Sequence, residues 1–309
     1  MKQLTIISGK GGTGKTTITA AFAHLCENGV LADSDVDAAD LHLILEPEIK
    51  QKKAYSGGSV AFIDEQKCTQ CCICIEKCRF DAIRDFVVDP ISCEGCTFCT
   101  YVCPENAIMM REQVSGNWFV STTREGTMVH AKLGIAEDNS GKLVSVVRHK
   151  AKEIAEKNKN DMVIIDGPPG IGCPVIASIT GADMILVVTE PTLSGLHDME
   201  RVLDTAKHFS IPALVCINKY DINLENTKKI EKICEGKEVQ VVGHLPYDKS
   251  VTAAMIRKKS IVEYDCGEVS KEVKRMWNEI KGLLFKSRNS YPSNLEKIFS
   301  ENYNPISEN

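Results

Sequence analysis

The stretch Ser8-Gly9-Lys10-Gly11-Gly12-Thr13-Gly14-Lys15-Thr16-Thr17 constrains this chain more than any other. It follows a β-branched run, Leu4-Thr5-Ile6-Ile7, and precedes Ile18 to Leu25, which reads as a helix. Strand, glycine-rich turn and helix in that order make G-x-x-x-x-G-K-[ST] a phosphate loop and not a chance string. Gly9, Gly14, Lys15 and Thr16 hold its fixed positions. With Gly11 and Gly12, the glycines let backbone amides curl around a polyphosphate, and the helix start adds its positive dipole end. Lys15 is expected to reach the β- and γ-phosphates and the Thr16 hydroxyl to hold Mg²⁺, with Thr13 and Thr17 completing the nucleotide-binding set.

Lys10, directly after Gly9, gives the loop a second lysine. This variant resembles the deviant Walker A loop of the MinD/ParA superfamily, which includes the nitrogenase iron protein and the Mrp-type iron–sulfur carriers. The resemblance implies an ATP-dependent homodimer in which Lys10 reaches the partner's nucleotide. Taken alone, Lys10 could be a solvated loop charge.

Two further segments fit that frame. Gly29-Val30-Leu31-Ala32 ends in Asp33-Ser34-Asp35-Val36-Asp37, and carboxylates at a strand's carboxyl end face the ligand crevice of an open α/β sheet. By resemblance, Asp35 matches the first-switch aspartate that orients the attacking water, with Asp33 as strand-end support; Asp37 and Asp40 read as helix-start or surface residues. Asp161 to Asp166 is a near-continuous apolar strand of the kind buried on both faces, followed by Gly167-Pro168-Pro169-Gly170. It resembles a Walker B strand and second switch, which implies that Asp166 binds Mg²⁺ through water and that Gly167 and Gly170 let the loop respond to the γ-phosphate. The catalytic set expected is Lys10, Lys15, Asp35 and Asp166.

Cysteine is the compositional outlier, at 14 of 309 residues. Nine lie between Cys68 and Cys103, and Asp64, Cys68, Cys71, Cys74, Cys78, Ala82 and Ile83 recur 25 residues later as Asp89, Cys93, Cys96, Cys99, Cys103, Ala107 and Ile108. Without an export signal, metal binding is a better reading than disulfides. Each copy is C-x₂-C-x₂-C-x₃-C, the bacterial ferredoxin run, whose fourth cysteine serves the other cluster. One [4Fe-4S] cluster is therefore expected on Cys68, Cys71, Cys74 and Cys103, and a second on Cys93, Cys96, Cys99 and Cys78. Zinc is the alternative, but it more often uses separated C-x₂-C pairs. The second copy continues Cys103-Pro104 as ferredoxins do, whereas the first continues Cys78-Arg79, placing a cation where it would stabilise an added electron. Cys72 reads as a packing thiol between ligands. Cys26, Cys173, Cys216, Cys234 and Cys266 read mostly as core thiols, with Cys173, beside the second switch, a candidate metal ligand.

The remaining text supplies the frame. Residues 47–57 turn polar, as a linker does. Asn117 to Thr123 and Met128 to Leu133 read as two strands around a Glu125-Gly126 turn. Asp138-Asn139-Ser140-Gly141 reads as a helix cap, with nucleotide sensing as the other possibility. Strands recur at 184–188, 213–217 and 239–242, with helices between them at 196–209 and 224–234. That alternation argues an α/β, doubly wound, mostly parallel P-loop NTPase sheet, here with an inserted small α+β ferredoxin-like domain. The expected division is 1–56 and 113–286 for the ATPase, 57–112 for the insert and 287–309 for a polar tail.

Asn218-Lys219-Tyr220-Asp221 matches the N-K-x-D that reads guanine in GTPases, but family resemblance places an adenine contact at Asn218, and the two-lysine loop favours ATP. Leu245-Pro246-Tyr247-Asp248 resembles the family's base-flanking loop. The segment 268–286 is a basic amphipathic helix; packing on the sheet is expected over the membrane binding that the C-terminal helix of MinD performs. A net charge of −5 argues against a nucleic-acid partner. No run approaches a membrane span, and Met1-Lys2-Gln3 leads straight into a strand, so a cytoplasmic protein is expected. The chain thus resembles MinD-superfamily ATPases carrying a two-cluster ferredoxin insert. The resemblance implies ATP-gated electron transfer to a redox partner protein. Assembly or delivery of a metal cofactor is the alternative, disfavoured by the lack of a C-x-x-C pair after Cys173, and a membrane or DNA positioning ATPase is a distant third.

Overall fold

The computed structural model describes residues 1–134 and 140–286; the polar run expected as a cap at 138–139 and the tail 287–309 lie outside them. In chain order the elements begin with β1 (Lys2–Ser8), α1 (Lys15–Leu25), β2 (Gly29–Asp33), α2 (Leu41–Leu45) and β3 (Glu48–Ile63). A small segment follows with α3 (Ile73–Lys77), β4 (Ile83–Arg84), β5 (Val87–Val88) and α4 (Phe98–Val102), and the chain returns through β6 (Ile108–Thr123) and β7 (Gly126–Leu133). Then come α5 (Ser140–Asn158), β8 (Met162–Pro169), α6 (Cys173–Ile179), β9 (Met184–Thr189), α7 (Leu193–His208) and β10 (Ala213–Asn218). The last elements are α8 (Leu224–Gly236), β11 (Gln240–Leu245), α9 (Lys249–Ile256), α10 (Ile261–Tyr264) and α11 (Glu268–Phe285).

Nine strands form one sheet in the order β11-β10-β9-β1-β8-β2-β7-β6-β3. From β11 to β7 every neighbour is parallel; β6 and β3 add an antiparallel edge. The parallel strands are apolar on both faces because helices cover both. Leu4, Ile6, Leu31, Ile164 and Leu186 pack with α1, α10 and α11, while on the opposite face Ile7, Val187 and Val215 meet α7, and Val30, Val163 and Ile165 meet α5. The helix at 268–285 buries Val269, Val273, Met276, Trp277, Ile280 and Leu284, and Trp277 lies 5.0 Å from the Phe22 ring. Its cations face outward, and Lys271 and Arg275 pair with Glu268, Glu272 and Glu279 of the same helix. Its amphipathic face is thus spent on the sheet. No helix among the described residues is long and apolar enough to cross a membrane.

The polar run 47–57, expected as a linker, is instead the first half of a 16-residue strand. Glu48 to Ala54 are exposed because they form the sheet's outer edge, where lysines such as Lys50, Lys52 and Lys53 discourage further strand pairing. Polarity there reports an edge, not a loop. The β3/β6 ribbon pairs from Glu48↔Thr122 to Ile63↔Ile108, so it runs unbroken out of the sheet to the cysteine segment. Register shifts at Tyr55/Ser56 and Ser56/Gly58 mark where it leaves. There the buried Ser115 hydroxyl accepts from the Gly57 amide at 3.2 Å, and its carbonyl accepts from the Gly134 amide at 2.7 Å.

The sequence repeat between the two ends of this ribbon is also a structural repeat. Asp64 N–H donates to Ala107 C=O and Asp89 N–H to Ala82 C=O, both at 2.8 Å. Cys72 and Thr97 occupy equivalent left-handed positions at φ 63° and 64°, each opening a five-residue helix. A separate small core of Ala61, Ile63, Cys74, Ile83 and Ile108 holds the two copies together.

Candidate nucleotide and thiolate sites

The phosphate loop leaves β1 and enters α1 at Gly14, whose φ of 96° only glycine adopts without strain. A Cβ there would also stand 2.5 Å from Asn218 Nδ2. That amide donates to the Thr13 carbonyl at 2.8 Å, while Asn218 Oδ1 accepts from Lys219 N–H at 3.0 Å. Asn218, expected at the base, therefore also buttresses the phosphate loop from the end of β10. Asp221 Oδ1 accepts from Tyr247 N–H at 2.7 Å and so joins the two segments expected to flank the base.

Register places the carboxylates. Asp33, at the end of β2, stands opposite Asp166 of β8, and both are fully buried. Thr16 Oγ1 donates to Asp166 Oδ2 at 2.7 Å and Thr19 Oγ1 to Asp166 Oδ1 at 2.9 Å. Asp33 accepts from the amides of Asp35 and Leu41. Asp35 lies 3.9 Å from the Lys15 ammonium. Burial pushes all three carboxyls upward: Asp35 to about 6 against the pull of Lys15, Asp33 well above its usual range with Asp166 adding to the effect, and Asp166 against Lys15 and its threonine donors. Three carboxylates against one lysine leave an excess of buried negative charge, the condition a divalent cation relieves. Thr13 Oγ1 and Ser34 Oγ, buried without protein partners, add open polar valence beside this group. The donors present fit Mg²⁺ held by Thr16 and Asp166 and a polyphosphate on Lys15.

Lys10 sits within its own subunit. Its ammonium is 3.1 Å from Thr192 Oγ1, 3.2 Å from Ser194 Oγ and 3.7 Å from Glu190, which also binds Lys219 at 2.5 Å. Gly9 packs so closely on Asp198 of α7 that no side chain fits. Sequence reasoning missed Glu190, Thr192, Ser194 and Asp198, because nothing local ties the start of α7 to a loop 180 residues earlier. Thr192 carried a readable signal, since its hydroxyl caps α7 by accepting from Gly195 N–H.

The cysteines line two cavities. One, of about 330 Å³, is bounded by Cys78, Cys93, Cys96 and Cys99; the other, much smaller, by Cys68, Cys71, Cys72, Cys74 and Cys103. Among the described residues no three thiols have their sulfurs all within 4.8 Å of one another. Each cavity offers at least four thiols, a donor set whose chemistry fits an iron–sulfur cluster. Among the described residues the one group of potential ligands meeting that distance is His24, Glu125 and Glu263, and there Arg124 already neutralises Glu263 through two contacts of 2.9 Å. Cys173 is exposed at the start of α6, packed against Gly141, and Cys216, Cys234 and Cys266 are buried in the core.

Residues 4–261 match the family model described as the CobQ/CobB/MinD/ParA nucleotide binding domain. An uncharacterized protein of Methanocaldococcus jannaschii is 31% identical over 289 residues, covering 91% of this chain and 97% of its own. The septum site-determining protein MinD of Helicobacter pylori is 23% identical over 96% of this chain and 98% of its own. Among solved structures, the septum site-determining protein MinD of Pyrococcus horikoshii, complexed with Mg-ADP, superposes with a TM-score of 0.56 at 19% identity, covering 91% of this chain and 96% of that one.

Proposed function

This chain belongs to the CobQ/CobB/MinD/ParA nucleotide-binding family, and from that premise we propose that it is a dimeric ATP switch governing two [4Fe-4S] clusters, passing electrons to a partner protein. The observation that carries the reading is the ribbon. One end holds two cavities, one lined by four cysteines and the other by five, and the other end pairs through β7 with β2, the strand ending in the switch aspartates.

The residues divide the work as follows. Backbone amides of Gly11 to Thr16 receive the phosphates, Lys15 neutralises the β- and γ-oxygens, and Thr16 with Asp166 holds Mg²⁺. Asp35, with its carboxyl raised to about 6, is poised to orient and take a proton from the attacking water. Lys10 exchanges Glu190, Thr192 and Ser194 for the partner's nucleotide when two subunits close. Asp221, with one oxygen committed to Tyr247 N–H, is less free to read guanine, which supports ATP. Cys68, Cys71, Cys74 and Cys103 hold one cluster and Cys78, Cys93, Cys96 and Cys99 the other; bound there, each supplies one-electron redox chemistry.

Hydrogen bonds link the segment after Asp35 to the root of the ribbon, which supports a coupling between switch and clusters. Leu133 N–H donates to the Val36 carbonyl, next to Asp35, at 3.5 Å, and the adjoining Gly134 N–H holds Ser115 at the ribbon's bulge. A change at 35–36 on γ-phosphate loss therefore reaches the root of the ribbon. The test is anaerobic reconstitution with labelled iron, followed by reaction with a viologen acceptor under ATP, ADP or no nucleotide. Acceptor reduction that depends on nucleotide while the label stays bound supports the reading. Identical rates and cluster accessibility in all three states overturn it.

A further inference from the structure

The two cavities are related by the 25-residue repeat, yet they are not electrostatically equivalent. The cavity of Cys78, Cys93, Cys96 and Cys99 is lined by Lys77, Arg79 and a single carboxylate, Glu94. The cavity of Cys68, Cys71, Cys74 and Cys103 is lined by Glu105 and by no cation among the described residues. Arg79 replaces the proline of the second copy, and its guanidinium stacks 4.8 Å from the Phe80 ring, which itself lines the first of these cavities. Formal lining charge therefore differs by two between sites whose sulfur ligands are the same.

We infer that the cluster in the Cys78/Cys93/Cys96/Cys99 cavity has the higher potential and is the terminus from which electrons leave the protein. This rests on the proposal that both cavities hold [4Fe-4S] clusters. Reduction adds one negative charge to a cluster, so cations at its wall favour the reduced state and carboxylates oppose it. An electron entering from a one-electron donor at low potential thus moves downhill. The cluster of Cys68, Cys71, Cys74 and Cys103 returns from 1+ to 2+, and the other passes from 2+ to 1+, with no proton or bond exchanged.

The surface agrees with that direction. Phe98 is part of the cavity wall and is 49% exposed, so one ring spans from cavity to solvent. Tyr101, three residues on along α4, is 89% exposed. The same two positions in the first copy are the half-buried Ile73 and the charged Glu76. Only the second motif thus offers exposed aromatic rings at its helix, with Lys77 and Arg79 at the same cavity. The acceptor that fits is a redox protein with an apolar contact face and a carboxylate rim.

The experiment is an anaerobic potentiometric titration of the reconstituted full chain, with dithionite as reductant and EPR as readout. Iron near eight per chain and two reducible clusters establish the premise; fewer than two clusters would refute the underlying function, a result distinct from those below. With both clusters present, Lys77→Gln with Arg79→Gln should shift the more easily reduced step about tenfold toward oxidation, close to 59 mV, leaving the other within a third of that. Glu105→Gln should move the lower step in the opposite direction. These side chains are at the surface, so folding is spared, and iron content in each variant verifies it. Two steps of equal potential, or a shift confined to the harder step on removing Lys77 and Arg79, would overturn the assignment. As an independent readout, the double variant should slow reoxidation by anionic anthraquinone-2,6-disulfonate more than by cationic methyl viologen; an equal effect on both contradicts the exit at this cavity.

Discussion

Asp35→Asn should make the nucleotide-free protein more stable at neutral pH while removing its hydrolysis. Burial lifts the Asp35 carboxyl from 3.8 to about 6, with Lys15 pulling the other way. At about 1.4 kcal/mol per pH unit, that rise corresponds to a penalty of about 3 kcal/mol for holding the carboxylate ionised in the folded state. Solvent screening at the open side of the switch, together with the lost Lys15 contact at 3.9 Å, reduces the expected gain to about 1–2 kcal/mol. The sign follows from proton binding: between pH 3.8 and about 6 the folded chain binds this proton more tightly than the unfolded chain. Stability contributed by the neutral acid is therefore lost as pH rises through that window and stays lost above it. Urea unfolding of parent and variant, nucleotide-free and in the same cluster state, should show a variant advantage that is about half developed at pH 5 and complete at pH 7.5. ATP turnover should fall by about 10²-fold or more, as expected for loss of a positioned base. A variant less stable than the parent at pH 7.5, or an advantage that does not change with pH, would refute the reasoning.

Three further outcomes follow from the geometry. Gly14→Ala places a Cβ against Asn218 at a left-handed residue; strain of about 1–2 kcal/mol plus a lost hydrogen bond should weaken ATP binding tenfold or more, measured by calorimetry. Lys10→Ala should leave ATP affinity within about threefold, since the interaction proposed for it is with the partner's nucleotide, but abolish the ATP-dependent dimer seen by light scattering. Cys96→Ser should lower iron from about eight to about four per chain after reconstitution, with one EPR signal retained.

The parallel half of the sheet was legible because burial on both faces leaves a plain signature: Asp161 to Asp166 and Met184 to Val188 are apolar runs closed by polar residues. The phosphate loop was legible for a different reason, since its glycines answer to backbone geometry and not to distant partners. What failed was the edge. Glu48 to Ala54 has no buried face, so its strand character comes wholly from pairing with β6, which no local pattern reveals. The same blindness hid Glu190 and Ser194, whose relevance depends on α7 being laid beside Gly9 and Lys10. Cys78 and Cys103 stand between these cases. Spacing marked them as ligands, and it is the fold of the two copies that brings each to the other copy's cavity.

The bulge at Ser115 has a mechanical consequence. Beyond it, Gly58 to Ile63 stays paired with Ile108 to Gln113, so the arm carrying the cysteines is two-stranded and stiff. From Ser56 to Ile63 the strand spans about 23 Å, and a rotation of only about 5° at its root sweeps the far end by about 2 Å. Under the function proposed above, electron tunnelling decays exponentially with distance, so a displacement of that size would change the rate of transfer to a docked acceptor. Such control would need no hinge loop and no unfolding, only an angular change at one bulge whose hydrogen bonds lead through Gly134 and Leu133 to Val36.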